Sequence, residues 1–439
     1  MVAKIWIEKE KHNLYCSYVL DFINNHPING GRLFFDITED RNKADLSYAQ
    51  STRLDDQEII QIPVQNLFFG SLKVNNRELS INTYHAKPKN VFAIEGGNRG
   101  INDFFDGKMF AFDWLETIFF HISRYEEFHF DPTLRNQWEM MPEKDQILVK
   151  HKLHHTPVVD ELVNAILVAL GHPSSVVKSN WSLSHDIDYL SRKKGFQNKF
   201  RQFLSFVKYG SSIKSAFKHA FTKEQQDYHD FSFLETGDIP IAKRIYFHVG
   251  GDHVFDPEKM DERQELIQKL ASEALSKGYE IGLHPSYLAA EDPVLFLKEK
   301  SFLEKLIRQK IELSRQHYLH FDFEKTLDIL EQNGIQEDSS LGYNEHVGFR
   351  CGTGFNYFLF NWKLKAKSTV KEQPLIWMDS AQRYEVGKQS SLFYLKAIKF
   401  FESNKIGTQL NINIHNHYWT DYKLYGIDLS QYLKEIKRK

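Results

Sequence analysis

Trp181-Ser182-Leu183-Ser184-His185-Asp186-Ile187-Asp188 alternates polar and apolar residues and closes on two carboxylates one alternation apart. The period of two predicts a strand, and on an extended chain residues i and i+2 share a face, so Asp186 and Asp188 enter one cavity. The same design recurs downstream. Tyr279-Glu280-Ile281-Gly282-Leu283 runs out at His284-Pro285-Ser286, and Ile311-Glu312-Leu313-Ser314 at Arg315-Gln316-His317-Tyr318. Ile335-Gln336-Glu337 reaches Asp338, Leu375-Ile376-Trp377-Met378 reaches Asp379, and Leu410-Asn411-Ile412-Asn413-Ile414 reaches His415-Asn416-His417. Helices are predicted between them, over 257–277, 293–309, from Asp322 to Gly334, and over 391–404. Alternation of strand and helix implies a parallel sheet or barrel with right-handed crossovers. Polar tips on successive parallel strands point to one mouth of a β/α barrel, and tips rich in carboxylate and imidazole suit metal-assisted hydrolysis.

The rest of the chain sets bounds. At 439 residues, 41% hydrophobic and 26% charged, it is globular and long enough for more than one domain. Residues 1–150 read as a smaller α+β domain whose strongest element is a helix over 112–128, and 151–180 as a connector with a helix from Val158 to Leu170. The barrel then occupies 181–439. Cys16 and Cys351 form neither a disulfide framework nor a zinc cage. The charged start, Lys4 to Glu10, breaks any signal-peptide core, and no apolar run is of membrane-spanning length. A cytoplasmic protein, at most resting against the inner membrane surface, is expected. No feature calls for nucleic acid.

Charge is uneven. Net charge is −2, yet Ser191 to Lys223 carries nine Lys or Arg and no acid, inside a basic insertion at about 191–240. Phe196, Phe200 and Phe203 recur at helical spacing there, with Phe206, Phe217 and Phe221 beyond. Such a stripe reads first as a lid or brace packed on the domain; contact with an anionic membrane is the alternative.

In the mouth, one carboxylate of the Asp186–Asp188 pair can bind a divalent cation while the other takes a proton from water. His284, a neutral imidazole at a strand tip, can serve as a ligand for zinc or a similar metal. His415 or His417 can protonate a leaving amine, with Asp338 or Asp379 holding the imidazolium. Arg315 can pair with Asp186 and keep it ionised.

These residues resemble the motifs of the polysaccharide deacetylases, in order. Ser184-His185-Asp186-Ile187-Asp188 is similar to the first, with Asp186 as base and Asp188 as metal ligand; Glu280-Ile281-Gly282-Leu283-His284 to the second. Arg315-Gln316-His317-Tyr318 resembles the third, in which the Tyr318 amide stabilises an oxyanion, Gly334 to Ser340 with Asp338 the fourth, and Ile414-His415, the acid, the fifth. Ser123 to Glu127 and Gly348 to Thr353 further resemble a bacterial branch with an uncharacterised N-terminal domain. The resemblance implies an irregular barrel that removes acetyl groups from an acetamido sugar of a cell-surface polysaccharide or its precursor, using a divalent metal, zinc by preference. It also implies a second histidine ligand four residues after His284, where this chain has Leu288. His185 and His317 are the leading substitutes, with His248 and His253 behind them. The alternatives are a glycan-binding protein that has lost the metal, and a hydrolase of small cyclic amides on the same barrel.

Overall fold

The computed structural model describes residues 1–50, 59–69, 79–96, 100–172, 177, 180–190, 196–208, 212–221, 231–235, 242–257, 264–387, 391–405 and 407–419. It divides into two compact units. One comprises Met1–Ser179, Phe349–Glu372 and Ile406–Gln409; the other Asn180–Gly348, Gln373–Lys405 and Leu410–Lys439.

In the first unit, Val2–Ile7, Phe34–Thr38, Leu46–Ala49 and Ile60–Pro63 form a parallel sheet in which Val2–Ile7 lies between the second and third strands. A three-stranded sheet of Leu79–His85, Val91–Gly96 and Asn102–Asp103 accompanies it. The helix expected over 112–128 is broken into Trp114–Ile122 and Tyr125–Phe128, because Arg124 turns left-handed at φ 54°. Its buried guanidinium donates to the Glu127 carboxylate and to the Arg350 carbonyl, and Arg350 donates to Glu127 as well. Two buried cations around one carboxylate hold the Phe349–Glu372 segment in this unit. Helix Val158–Ala169, expected as a connector, also packs inside it, burying Val159, Leu162, Val163 and Ile166.

The second unit contributes strands β1 (Asn180–Ile187), β2 (Lys243–His248), β3 (Glu280–His284), β4 (Leu313–Ser314), β5 (Glu337–Asp338), β6 (Trp377–Met378) and β7 (Gln409–Asn413, of which Gln409 falls to the first unit). They stand in the spatial order β5-β4-β3-β2-β1-β7-β6. β1 to β5 pair in parallel with their neighbours, as do β6 and β7. Among the described residues no pairing joins β5 to β6, so the expected barrel is here an open, parallel-rich sheet. The reason lies in its margins: β4, β5 and β6 are two residues long, too short to carry a ladder round to closure. The parallel sense still delivers Asp188, His284, Arg315, Asp379 and His415 to one end of the sheet.

Gly282 in β3 is required by packing. A Cβ there would sit 2.4 Å from the Tyr246 ring and 3.1 Å from Leu313 Cβ. Tyr246 in turn lies under the Arg315 guanidinium, 4.4 Å from its ring centroid. Gly282→Ala should therefore destabilise the fold by about 1–3 kcal/mol through overpacking, visible as a lowered Tm; an unchanged Tm would mean the ring moves aside freely.

The predicted helices of this unit appear as Gln264–Ser276, Pro293–Ile307, Thr326–Gln332 and Ser391–Ser403. The expected start of the first, at 258–263, lies outside the described residues. The basic insertion forms two helices, Phe196–Lys208 and Ile213–Phe221, packed on each other through Phe206, Ala216 and Ala220. Its flanks at 191–195 and 222–230 lie outside the described residues. The lid reading required the whole Phe stripe to be covered. Instead Phe196, Phe200 and Phe217 are 74%, 46% and 58% exposed, since the shared core of two short helices reaches only one side of each.

Candidate functional site

Asp186 faces the mouth with both oxygens engaged. Oδ1 accepts from Arg315 Nη1 at 2.8 Å and Oδ2 from Asn413 Nδ2 at 2.7 Å. Burial alone would raise its pKa, but the Arg315 guanidinium overrides this and holds the carboxyl below its ordinary range. Arg315 is itself fully buried: besides Asp186, it donates to Asn413 Oδ1 at 2.7 Å and to the Ser339 carbonyl and hydroxyl at 3.0 Å each. Asn413 was not foreseen. It stands two residues before His415, so strand alternation was the signal that could have found it.

Asp188, His284 and His317 each offer one ligand atom, all within 4.8 Å of one another, and all three are buried. The protons of both rings can be placed. His284 Nδ1 meets the Arg315 carbonyl oxygen at 2.5 Å, and His317 Nδ1 meets Asp256 Oδ1 at 3.2 Å. Neither partner can donate, so Nδ1 carries the hydrogen in each ring and Nε2 is left as the ligand atom. Asp188 Oδ1 lies 3.4 Å from His284 Nε2 and makes no hydrogen bond of ordinary geometry despite its burial. A lone pair facing a carboxylate oxygen at that distance needs either a proton or a cation between them. The charges of Asp186 and Asp188 raise the His284 pKa against the effect of burial, which is the proton's solution. A divalent cation is the other. Two imidazoles and one carboxylate with a further position open match a catalytic zinc site, so these residues fit a metal.

Asp256, also unforeseen, orients this set from behind. It accepts from the Tyr287 N–H at 2.8 Å and the His253 N–H at 3.2 Å, and faces His248 Nε2 at 3.4 Å as well as His317. A carboxylate behind a ligating imidazole fixes its tautomer and raises its basicity.

The other histidines are accounted for. His248 accepts from the Gly250 N–H at Nδ1 and turns Nε2 to Asp256, so both nitrogens are engaged. His253 stacks on Tyr287 at 4.6 Å, outside the cleft. His185 points to the opposite face of β1, as its place between Asp186 and Ser184 requires. It bonds the Ile414 carbonyl at 2.9 Å and packs on Phe233 and Tyr279, and burial lowers its pKa to about 4. It does not join Asp188, so of the two leading substitutes only His317 does. Leu288 is 49% exposed on the short helix Tyr287–Ala290 and contributes nothing to the cluster.

His415 pairs with Asp379: Nδ1 to Oδ1 at 2.7 Å, with the His415 N–H donating to Oδ2 at 3.0 Å. Its Nε2 lies 3.8 Å from Asp188 Oδ2 and 4.0 Å from Asp186 Oδ2. Burial opposes protonation, but Asp379 and the aspartate pair outweigh it and push the imidazole up to about 9. Asp338, the other expected partner, does not reach His415. It accepts from the Ser340 N–H at 2.9 Å beneath the cleft, and burial pushes its carboxyl up to about 6.

Tyr318 and Leu319 are consecutive left-handed residues, both at φ 56°. Such a conformation costs about 1–3 kcal/mol per non-glycine residue and is concentrated where function demands it. Both residues line the cleft, whose volume is about 180 Å³; Tyr189, Asn344, Met378, Ser380 and His417 line it too, as do Asp186, Asp188, His284, His317 and His415. Asn344 braces the turn by donating to the Tyr318 carbonyl at 2.8 Å.

Residues 5–173 match a family of unknown function, DUF7033. No protein of curated function matches the chain. Among solved structures it is similar to the PuuE allantoinase, at 13% identity and TM-score 0.38 over 60% of this chain and 85% of that one. It is also similar to a family 4 carbohydrate esterase from Streptomyces lividans in complex with acetate, at 8% identity and TM-score 0.28 over 59% and 90%. A third is the peptidoglycan deacetylase PdaC from Bacillus subtilis, at 12% identity and TM-score 0.26 over 60% and 92%.

Proposed function

We propose that the chain is a metal-dependent hydrolase that removes the acetyl group from an acetamido sugar of a cell-surface polysaccharide or its precursor. The supporting observation is the convergence, in one cleft, of the Asp188–His284–His317 triangle with a pinned carboxylate, Asp186, and a carboxylate-held imidazole, His415. A divalent cation held by the triangle, zinc by its donor set, would acidify water and polarise a carbonyl oxygen. Asp186 is placed to take a proton from water in the cleft, its anionic form secured by Arg315 and Asn413. The backbone amide of Tyr318, whose left-handed turn lines the cleft, would stabilise the developing oxyanion. His415 delivers its Nε2 proton to the leaving amine, and Asp379 keeps the imidazolium charged until then. A cleft of about 180 Å³ is smaller than the roughly 300–1,000 Å³ that encloses a whole small molecule. It suits an acetamido arm entering from a larger glycan better than an enclosed cyclic amide.

The test is acetate release from N-acetylated oligosaccharides by protein purified without a histidine tag, alongside its metal content. Metal present with acetate released supports the reading; protein that binds the oligosaccharide without metal or hydrolysis supports the binding-protein alternative. The acid should also show in the pH profile. His415 is raised, so it is protonated, and contributes its full stabilisation, below about pH 6.5, and loses both as pH rises through about 9. Activity should therefore decline on an alkaline limb near 9. Asp379→Asn should move that limb toward about 6.5; an unmoved limb would assign it to another group.

A further inference from the structure

The two helices of the basic insertion carry an apolar face that the described residues leave uncovered. On Phe196–Lys208, Phe196, Phe200, Leu204 and Val207 fall at i, i+4, i+8 and i+11, all on one side, and all are exposed. On Ile213–Phe221 the exposed pair is Ile213 and Phe217, one turn apart. The two stripes join. Phe196 lies 6.0 Å from Phe221, and Phe221 4.8 Å from Phe217, so the rings make one patch across both helices. The core between the helices, Phe206, Ala216 and Ala220, adjoins this patch, with Phe203 and Phe221 packed partly against it. Large apolar residues grouped in the open are a docking surface more often than an accident.

Charge selects the partner. Arg201 and Lys208 stand about a third of a turn round from the first stripe, and Lys214 and Lys218 stand in the same relation to the second; all four are exposed. Across 191–223 the sequence holds nine basic residues and no acidic one. Apolar rings flanked by long cationic side chains match an anionic bilayer surface, where the rings enter below the headgroups and the cations remain among them. A second copy of this chain is a poor occupant, since it would bring the same positive charge. Among the described residues no helix is long and apolar enough to cross a membrane, so attachment through this pair would be peripheral.

We infer that Phe196–Lys208 and Ile213–Phe221 form a membrane-docking hairpin that seats the protein on anionic lipid. This stands apart from the reaction proposed for the cleft, because no residue of either helix lines it. Each basic residue near an anionic surface is worth about fivefold in partitioning, so R201Q, K214Q and K218Q together should weaken binding about a hundredfold. Phe196→Ser with Phe217→Ser should weaken it by about tenfold or more.

The experiment is co-sedimentation of the full chain with phosphatidylcholine vesicles, with and without phosphatidylglycerol, at low and high salt. Circular dichroism and the Tm of each variant verify folding. Binding only to the anionic vesicles, weakened by salt and by both sets of substitutions, supports the proposal. Three outcomes overturn it: wild type that stays in the supernatant at low salt, equal binding by folded Phe variants, or a concentration-dependent dimer that the Phe substitutions abolish. Acetate release from a soluble oligosaccharide should be the same for the folded variants and wild type, so failure of docking and failure of the hydrolase reading are separately visible.

Discussion

Protein carrying His317→Ala should retain its fold but lose its divalent cation, and with it more than about a hundredfold in activity. The estimate starts from the outer contacts: removing a residue that only orients a ligating imidazole costs about 10–100-fold in metal affinity or activity, and His317 offers an imidazole nitrogen to the triangle itself. Asp256→Asn should fall in that milder range, because the amide can still face Nδ1 but no longer carries the charge. Leu288→His is the control. Its position is 49% exposed and outside the triangle, so a histidine there should leave wild-type metal content unchanged. A rise in affinity on Leu288→His, with no loss on His317→Ala, would remove His317 from the ligand set. Metal binding should also tighten with rising pH. The charges of Asp186 and Asp188 favour a proton on His284 against burial, and a bound cation competes with that proton. Isothermal titration in buffers of different ionisation enthalpy would count that proton.

Arg315→Met should destabilise the protein by about 3–5 kcal/mol, the range for stripping one partner from a buried ion pair. The side chain fills a fully buried place between Tyr246, Asn413, Ser339 and Asp186. Without it the Asp186 carboxylate is buried with one neutral donor, Asn413. Its pKa should then rise, since only His284 and His415 are left to hold it down against burial. The loss should thus be largest near neutral pH, where the wild-type carboxylate is ionised, and should shrink as pH falls below about 4, where Asp186 protonates in the unfolded chain, and on through its depressed folded-state range, where it protonates in the folded chain as well. Urea unfolding at two pH values measures this. Arg315→Met combined with Asp186→Leu should regain most of the stability while staying inactive, because no charge is then left unpaired. A single substitution that is harmless at neutral pH would show that Asn413 suffices to hold the carboxylate.

Much of the site was legible because its chemistry sits at the ends of short alternating runs. Asp186 and Asp188 follow from a period of two, and the pairing of Arg315 with Asp186 from two strand tips of opposite charge. The choice among equivalents was not legible. Asp338 and Asp379 both follow predicted strands, yet only Asp379 reaches His415, because β6 lies beside β7 while β5 stands at the other side of the sheet. His185 and His317 were equal on paper. Alternation already turned His185 away from the Asp186 face, a reading that local spacing permitted and that the pull of a neighbouring Asp pair obscured. His317 owes its place to the left-handed turn that follows it and to Asp256, sixty-one residues earlier.

The periodicity of the chain by itself determined the strands, the helices between them and the chemical types gathered at their tips, since these depend on residues a few positions apart. Tertiary structure decided that the sheet is open among the described strands and that Phe349–Glu372 belongs with the first unit through Arg350 and Glu127. It also decided that the exposed Phe stripe has no cover in the described chain, and that Asp188, His284 and His317 meet. Each of these depends on which strands become neighbours and in what register, a property of long-range packing that local alternation does not encode.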